Sequence, residues 1–470
     1  MKMMGNSKIR LANGLLIVVE VLALGWFIAT EDLAPAGWLV LGAVAAVALF
    51  AVTSTKWPFG ALMVLAVSSA MPRFTGTLFG LHVRPEHIGI GFVVGIVVLQ
   101  VLGARIGTEL HLQRFDYFLI IYILLNFLTS AVTSPEPRMT IRWAALNAIV
   151  IVPYFLVRLL IKDGTSLHKA FHILLWVGAA ESAYGTISFL SNRIFNTTFG
   201  IEVGQYGFIP GVYGTQYEAN LFGSYTACCA LMFLVLFFLS EESRPRYGWG
   251  FLISGLGAVV SLSRAVMLAF PVVAIIVVWI AFRRGRLRVR TMLPFAVAIV
   301  MLLIVSPFIL GFVRERFSTM DLSELTADDT TAGRVIQMAA AVEDVRTHPV
   351  LGTGTASFQL FFNWNDYLGE DSAGWVGNTP LRILHDTGIV GLGVFLIFVV
   401  LLALAARRAR RVAEPGTAAI LVALEVGLLF YAITFQSTEA SLLAFTWVHV
   451  GLLAAAVTIT QFGNSALLSR

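Results

Sequence analysis

The sequence predicts an all-α fold, a polytopic transmembrane helical bundle of about 12–14 spans. Two observations carry this. Hydrophobic residues make up 58% of the 470 positions and charged residues 13%, against about 25% charged in an ordinary soluble protein. Apolar runs also recur along nearly the whole chain, many of them long enough, at about 20 residues, to cross a bilayer as a helix. So few polar side chains could not cover a soluble domain of this size. A soluble enzyme, a secreted disulfide scaffold and a disordered protein are all excluded.

The elements follow in order. Met1 to Arg10 is basic and leads into an apolar run, but no clear small-residue cleavage site follows, so it reads as a retained first helix and not a signal peptide. Helices are expected near residues 12–29, 34–52, 58–71, 88–104, 116–133, 143–161, 170–190, 218–239, 249–262, 265–282, 292–313, 378–404, 416–435 and 440–461. The segments 58–71 and 249–262 are short for a full crossing, which lowers the count if they are re-entrant. The net charge of +5 speaks to orientation, and nucleic acid is not an expected partner. With the N-terminus inside, the dense clusters RRGRLRVR at 283–290 and RRARR at 407–411 both fall on the cytoplasmic side, as the positive-inside rule requires. Both termini are then cytoplasmic. Cys228 and Cys229 are neighbours in an apolar run and read as core residues.

Four regions result: N-terminal transmembrane helices at 1–204, transmembrane helices carrying Asn220 and Arg264 at 205–313, an extracytoplasmic loop at 314–377, and C-terminal transmembrane helices at 378–470. The loop holds ten acidic residues and four arginines. Within it RVIQMAAAVEDVRTH spaces Val335, Met338, Val342 and Val345 as one helical stripe, with His348-Pro349 as its end. An amphipathic helix lying on the membrane surface over a cavity is expected.

Ionisable groups in or at the ends of spans are costly there and usually face a cavity. They include Glu20, Glu181, Glu218, Arg264, Arg382, His385, Asp386, Glu425 and Glu439. Glu20 and Glu425 read as pairs with a neighbouring helix's polar groups, and His449 as a packed interface residue. Asp328-Asp329 reads as a solvated turn and not a metal site. Arg264, in SLSRAVML, stands apart because a guanidinium stays charged and its donor fork suits phosphate or carboxylate. No nucleotide-binding glycine loop, HExxH or nucleophile elbow is present, and no cofactor is expected.

Four motifs in order resemble the O-antigen ligase and polymerase superfamily of bacterial membrane glycosyltransferases: GVYGTQYEANLFGSY, SLSRAVML, AGRVIQMAAAVEDVRTHPVLGTGTASF and GNTPLRILHDTGIVGLGVF. The resemblance covers about 205–400. It implies a GT-C-like bundle with its active site under the outer loop, an undecaprenyl-diphosphate-linked glycan as donor, a glycan or lipid-linked acceptor, and no metal. Carried over, Arg264 and Arg334 bind the diphosphate and stabilise its developing charge. Asn220, Glu218, Asn378, Arg382, Glu370 and Asp371 are the substrate-binding candidates. Where the family has a functional histidine before the asparagine, this chain has Gly377. His385 or a loop carboxylate (Glu370, Asp371 or Asp366) could serve as base, or no dedicated base exists. The departure favours a polymerase of a surface polysaccharide over a ligase. A polytopic transporter and an inactive relative remain the competing readings.

Overall fold

One helix that the protein encloses on every side organises the bundle. The computed structural model describes residues 57–74, 76–78, 81–102, 110–204, 207–240, 244–286, 329–362 and 374–468. The expected spans 12–29, 34–52 and 292–313 lie outside the described residues, as do Glu20, Asp328, Asp366, Glu370 and Asp371. The order is α1 (Trp57–Ser69), β1 (Gly76–Leu78), β2 (Leu81–Val83), α2 (Pro85–Leu102), α3 (Arg114–Val132), α4 (Pro137–Leu160), α5 (Gly164–Phe195), β3 (Ile201–Gly204), β4 (Gly207–Val212), α6 (Ala219–Leu239), α7 (Arg244–Val260), α8 (Arg264–Arg283), α9 (Asp329–Thr347), α10 (Phe358–Phe361), α11 (Thr379–Val412), α12 (Pro415–Thr434) and α13 (Ala444–Leu468). Among the described residues eight helices (α3, α4, α5, α6, α8, α11, α12 and α13) are long and apolar enough to cross a membrane, while α1 and the apolar part of α2 are shorter. This is a multi-pass membrane protein.

The enclosed helix is α6. It is buried continuously from Leu221 to Phe238, with α5, α7, α8 and α12 packed around it. A helix that is apolar around its whole circumference belongs in an interior, and its small residues let neighbouring backbones approach. Gly223 shows how closely: a Cβ there would lie 2.4 Å from Ser261 Oγ. Cys228 and Cys229 are free and buried on this helix. His449 of α13 is a core residue too, its ring stacked on Tyr225 at 6.0 Å and on Tyr431 at 5.3 Å. Glu425 pairs with Arg410 of α11 at 2.5 Å. Arg158, within α4, is buried against Asp116 of α3 and the Tyr154 hydroxyl, and it donates to the His111 carbonyl at 2.8 Å.

Two short antiparallel hairpins, β1–β2 and β3–β4, lie in the connections of this all-α bundle. Strands of three to six residues containing Gly76, Gly204, Gly207 and Gly211 are too brief and too glycine-rich to show period-2 alternation. The loop helix α9 forms where expected, with its valine–methionine stripe turned away from the protein. Val335, Met338 and Val342 are exposed, whereas Ala341 is fully buried in a small core with Phe358, Phe362 and Val376. Ile336, Ala340 and Ala341 therefore face the protein, and the valine–methionine stripe faces outward.

The first part of α11 is bent off the rest at Gly388, where the backbone takes φ +64°. The turn after α9 docks on this bend. Thr353 N donates to His385 O at 2.9 Å and Gly354 N to Asp386 O at 3.0 Å, while Ile389 N donates to Pro349 O at 2.9 Å. A Cβ at Gly388 would lie 2.1 Å from Val350 O, a backbone atom that cannot swing away. Left-handed backbone and close approach together demand glycine here. Gly388→Ala is expected to release the 349–357 turn, detected as faster protease cleavage in that turn and a lower melting temperature in detergent. Gly393→Ala, on the same helix with open space at its Cβ, should leave both unchanged.

Candidate active site at the head of the bundle

The turn between α12 and α13, residues 435–443, gathers helix starts that are remote in sequence. Thr379 of α11 donates its N–H to Phe435 O at 2.9 Å and its hydroxyl to Thr438 O at 3.2 Å. Asn378 caps α11 by accepting from Leu381 N at 2.8 Å, and its Nδ2 donates to Gln436 O at 2.8 Å. Capping removes an orphan donor at the helix start, so one side chain both begins α11 and fixes it to the turn. From the other side Arg84 donates to Leu442 O at 3.1 Å, and Glu86, paired with Arg84 at 2.9 Å, accepts from Ala444 N at 2.9 Å.

Arg382 is the anchor of this assembly. Its guanidinium, 2% exposed, reaches Asp386 at 3.0 Å and Glu439 at 2.9 Å, and it also donates to Ser441 Oγ at 2.7 Å. Glu439 in turn accepts from Ser441 N at 2.7 Å. The group named from sequence as a substrate contact is thus engaged on two carboxylates inside the protein. Tyr217, just before α6, lies under the Arg84 guanidinium at 5.0 Å. Burial pushes its phenol up to about 12, so it stays a neutral hydroxyl at physiological pH.

The two arginines singled out from sequence reach the same region by different routes. Arg334, near the start of α9, donates to Ser437 O at 2.6 Å. Arg264 is the first residue of α8, half-buried. It follows a tight turn in which Leu262 takes φ +51°, a conformation that costs a branched residue about 1–3 kcal/mol. Ser263, the residue before it, donates to Asn220 Oδ1 at 2.7 Å. Two residues upstream of Asn220, Glu218 accepts a hydrogen bond from the Thr438 hydroxyl. A continuous relay results: the Arg264-bearing turn to Asn220, Glu218 to Thr438, and Ser437 to Arg334. A cationic side chain at a helix N-terminus adds to the positive end of the helix dipole, a setting that suits an anion.

His385 lies deeper. It is fully buried, with Nε2 3.2 Å from Asp344 of α9 and Nδ1 3.3 Å from Asp386, and with Phe358 edge-on at 5.5 Å. Its contacts join α9 to α11. Gly377, by contrast, borders open space: a Cβ built there meets nothing within 4 Å. Sequence reasoning missed Ser263, Ser437, Thr438, Arg84 and Glu86. Only the charged pair Arg84-Pro85-Glu86 at the start of an apolar run offered a signal, because the hydroxyl residues are ordinary in composition.

A cleft of about 1110 Å³ between α1 and α5 runs beside this region. Phe59, Met63, Val67 and Trp176 make its apolar wall, and Glu181 and Thr215 stand at the end nearest the head. Glu181 is held there by the Thr215 N–H at 2.7 Å.

Residues 249–396, from α7 into α11, match the family model described as O-antigen ligase. The matched stretch contains Arg264, Arg334, Asn378, Arg382 and His385. No curated protein matches the chain.

The His385–Asp344 contact is expected to hold α9 in place. His385→Ala and Asp344→Ala should each loosen α9, at a cost of about 1–3 kcal/mol for the polar groups left unpaired. Limited proteolysis should then cut within 329–347 while the membrane-embedded helices stay intact. Arg346→Ala, which breaks an exposed pair with Glu343, should leave the cleavage pattern unchanged.

Proposed function

We propose that this chain, whose residues 249–396 match the O-antigen ligase family model, is a membrane glycosyltransferase of the O-antigen ligase and polymerase superfamily that polymerises a surface polysaccharide on an undecaprenyl-diphosphate carrier. The observation that carries this reading is the relay that ties the Arg264-bearing turn to Arg334 through Asn220, Glu218 and the 435–443 turn. The Arg334 guanidinium and the backbone turn that carries Arg264, far apart in sequence, are both tied to the head of a membrane bundle. A diphosphate leaving group needs this kind of preorganised positive charge.

In the proposed reaction Arg264 and Arg334 bind the diphosphate of the donor. As the anomeric C–O bond lengthens, negative charge grows on the departing phosphate oxygen. Donors already aimed at that oxygen stabilise the transition state without reorganising. The cleft between α1 and α5 suits the hydrocarbon chain of the carrier, because its walls are mainly aliphatic and aromatic, with His168, Lys169, His172 and Arg246 as its basic lining and Glu181 near the head. The acceptor is the sugar end of a second lipid-linked repeat. We place the chemistry on the extracytoplasmic side, since the dense basic clusters lie at the opposite ends of their helices. The reaction is of GT-C type and uses no metal in this reading.

A ligase that passes finished chains to another acceptor is the second reading. The open space at Gly377, where the family's histidine would stand, favours the polymerase. Deletion of the gene, complemented with wild type, Arg264→Ala or Arg334→Ala, separates the two by gel analysis of carrier-linked and surface glycan. The polymerase reading expects single repeats on the carrier after deletion, rescue by wild type, and a loss of about 10²–10³ in chain-forming rate for either arginine variant. Long chains that accumulate on the carrier without reaching the surface would establish the ligase instead. An unchanged glycan profile would contradict both.

A further inference from the structure

We infer that Glu218 is the general base of this protein, the carboxylate that takes the proton from the attacking acceptor hydroxyl. The inference rests on the proposed glycosyl transfer and supplies the group that Gly377 leaves missing.

Glu218 does not act as an ordinary helix cap. It occupies the N-cap position of α6, where a carboxylate ordinarily accepts from its own helix, yet it makes no side-chain cap bond. Its side chain reaches across to the hydroxyl of Thr438 instead. The other carboxylates bonded to the 435–444 segment are in ion pairs: Glu86 with Arg84, and Glu439 with Arg382. Glu218 has no ion pair among the described residues and is only half-buried. An unneutralised carboxylate at the head of a membrane bundle is costly to keep. That cost has a use if the group receives a proton.

Position supports the same role. On one side of Glu218, Asn220 holds the turn that carries Arg264. On the other, Thr438 adjoins Ser437, whose carbonyl holds Arg334. The carboxylate therefore lies along the relay between the two cations assigned to the leaving group. Across the same turn, Asn378 and Thr379 are bonded to Gln436 and Thr438, which sets Gly377 and its open space beside the segment that Glu218 touches. An acceptor sugar entering beside Gly377 approaches Glu218. Thr438 orients the carboxylate through one oxygen, as a positioning residue.

The step balances. The acceptor oxygen forms a bond to the anomeric carbon of the donor as the bond from that carbon to the diphosphate oxygen breaks. The electron pair of the broken bond leaves with the diphosphate, and the acceptor's proton passes to Glu218. The protonated carboxyl returns its proton to water before the next cycle. No redox change or co-reactant is required.

The test uses the full-length chain purified in detergent, supplied with the lipid-linked glycan pool extracted from deletion cells, with chain elongation followed against pH. Wild type should lose rate at acid pH as the base becomes protonated. Glu218→Gln should be slower by about 10²–10⁴, with KM changed little and the acid limb gone. Glu218→Asp should restore part of the rate together with the limb. Thr438→Val should move the acid limb while melting as wild type does. Elongation by Glu218→Gln within about fivefold of wild type, or with the same acid limb, would overturn the inference. If wild type elongates nothing, or Arg264→Ala elongates normally, the glycosyltransferase reading itself fails, whatever the Glu218 variants do.

Discussion

The head of this protein depends on one buried guanidinium. Arg382 sits almost wholly inside the molecule and holds Asp386 on its own helix and Glu439 on the 435–443 turn. A charge in that position must be paired and hydrogen-bonded, since the desolvation of each ion costs several kcal/mol. Two carboxylates and the Ser441 hydroxyl meet most of that demand through Nε and Nη1, while Nη2 has no hydrogen-bond partner among the described residues. The same pairing fixes the turn to the start of α11. From there the turn holds Arg334, Glu218 and the Arg84–Glu86 pair. Asp386 faces two ways, since it also accepts from Ala356 N at 3.0 Å. The post-α9 loop is thereby tied to the same ion cluster.

This arrangement explains why the functional residues are scattered along the chain. The helix starts at α2, α6, α8 and α11 lie at one end of an up-and-down bundle, and each contributes one or two polar side chains there. Bundles build their sites from side chains on neighbouring helices in this way. Here α6 acts as the fixed axis: enclosed along its length, it sets where Glu218 and Asn220 stand before any polar contact is made. Among the described residues left-handed backbone falls where the chain turns sharply, as at Leu262 before Arg264, at Ala356 in the turn that docks on α11 and at Gly388 within α11.

Much of the fold was legible in the sequence because burial in a bilayer demands long apolar runs. The starts of α8 at Arg264 and α11 at Thr379 fell within a residue of expectation, since each follows a polar break in such a run. Hydropathy could not show that α6 is central and α11 largely outward-facing, because lipid and protein interior select the same residues. The apolar stripe on α9 was legible too, but the face that packs on the protein was not. Its apolar side faces the surroundings, while the protein-facing side is built from Ile336, small Ala340 and Ala341, and Asp344, which binds His385. In the site, the cations were legible as charges out of place. The hydroxyls and carbonyls of Ser263, Ser437 and Thr438 were not, because only folding brings them to the charges.

The most direct test of this account is a double-mutant cycle on Arg382 and Glu439, read as thermal unfolding of the full chain in detergent. Arg382→Met should be strongly destabilising, by about 3–5 kcal/mol, since it leaves Asp386 and Glu439 both uncompensated, and Glu439→Gln less so, because Asp386 still pairs with Arg382. The double variant should be no worse than Arg382→Met alone, giving a large coupling energy. Simple additivity of the two losses would show that the pair is not joined as described, and the turn would then have to be held at the head of the bundle by other contacts.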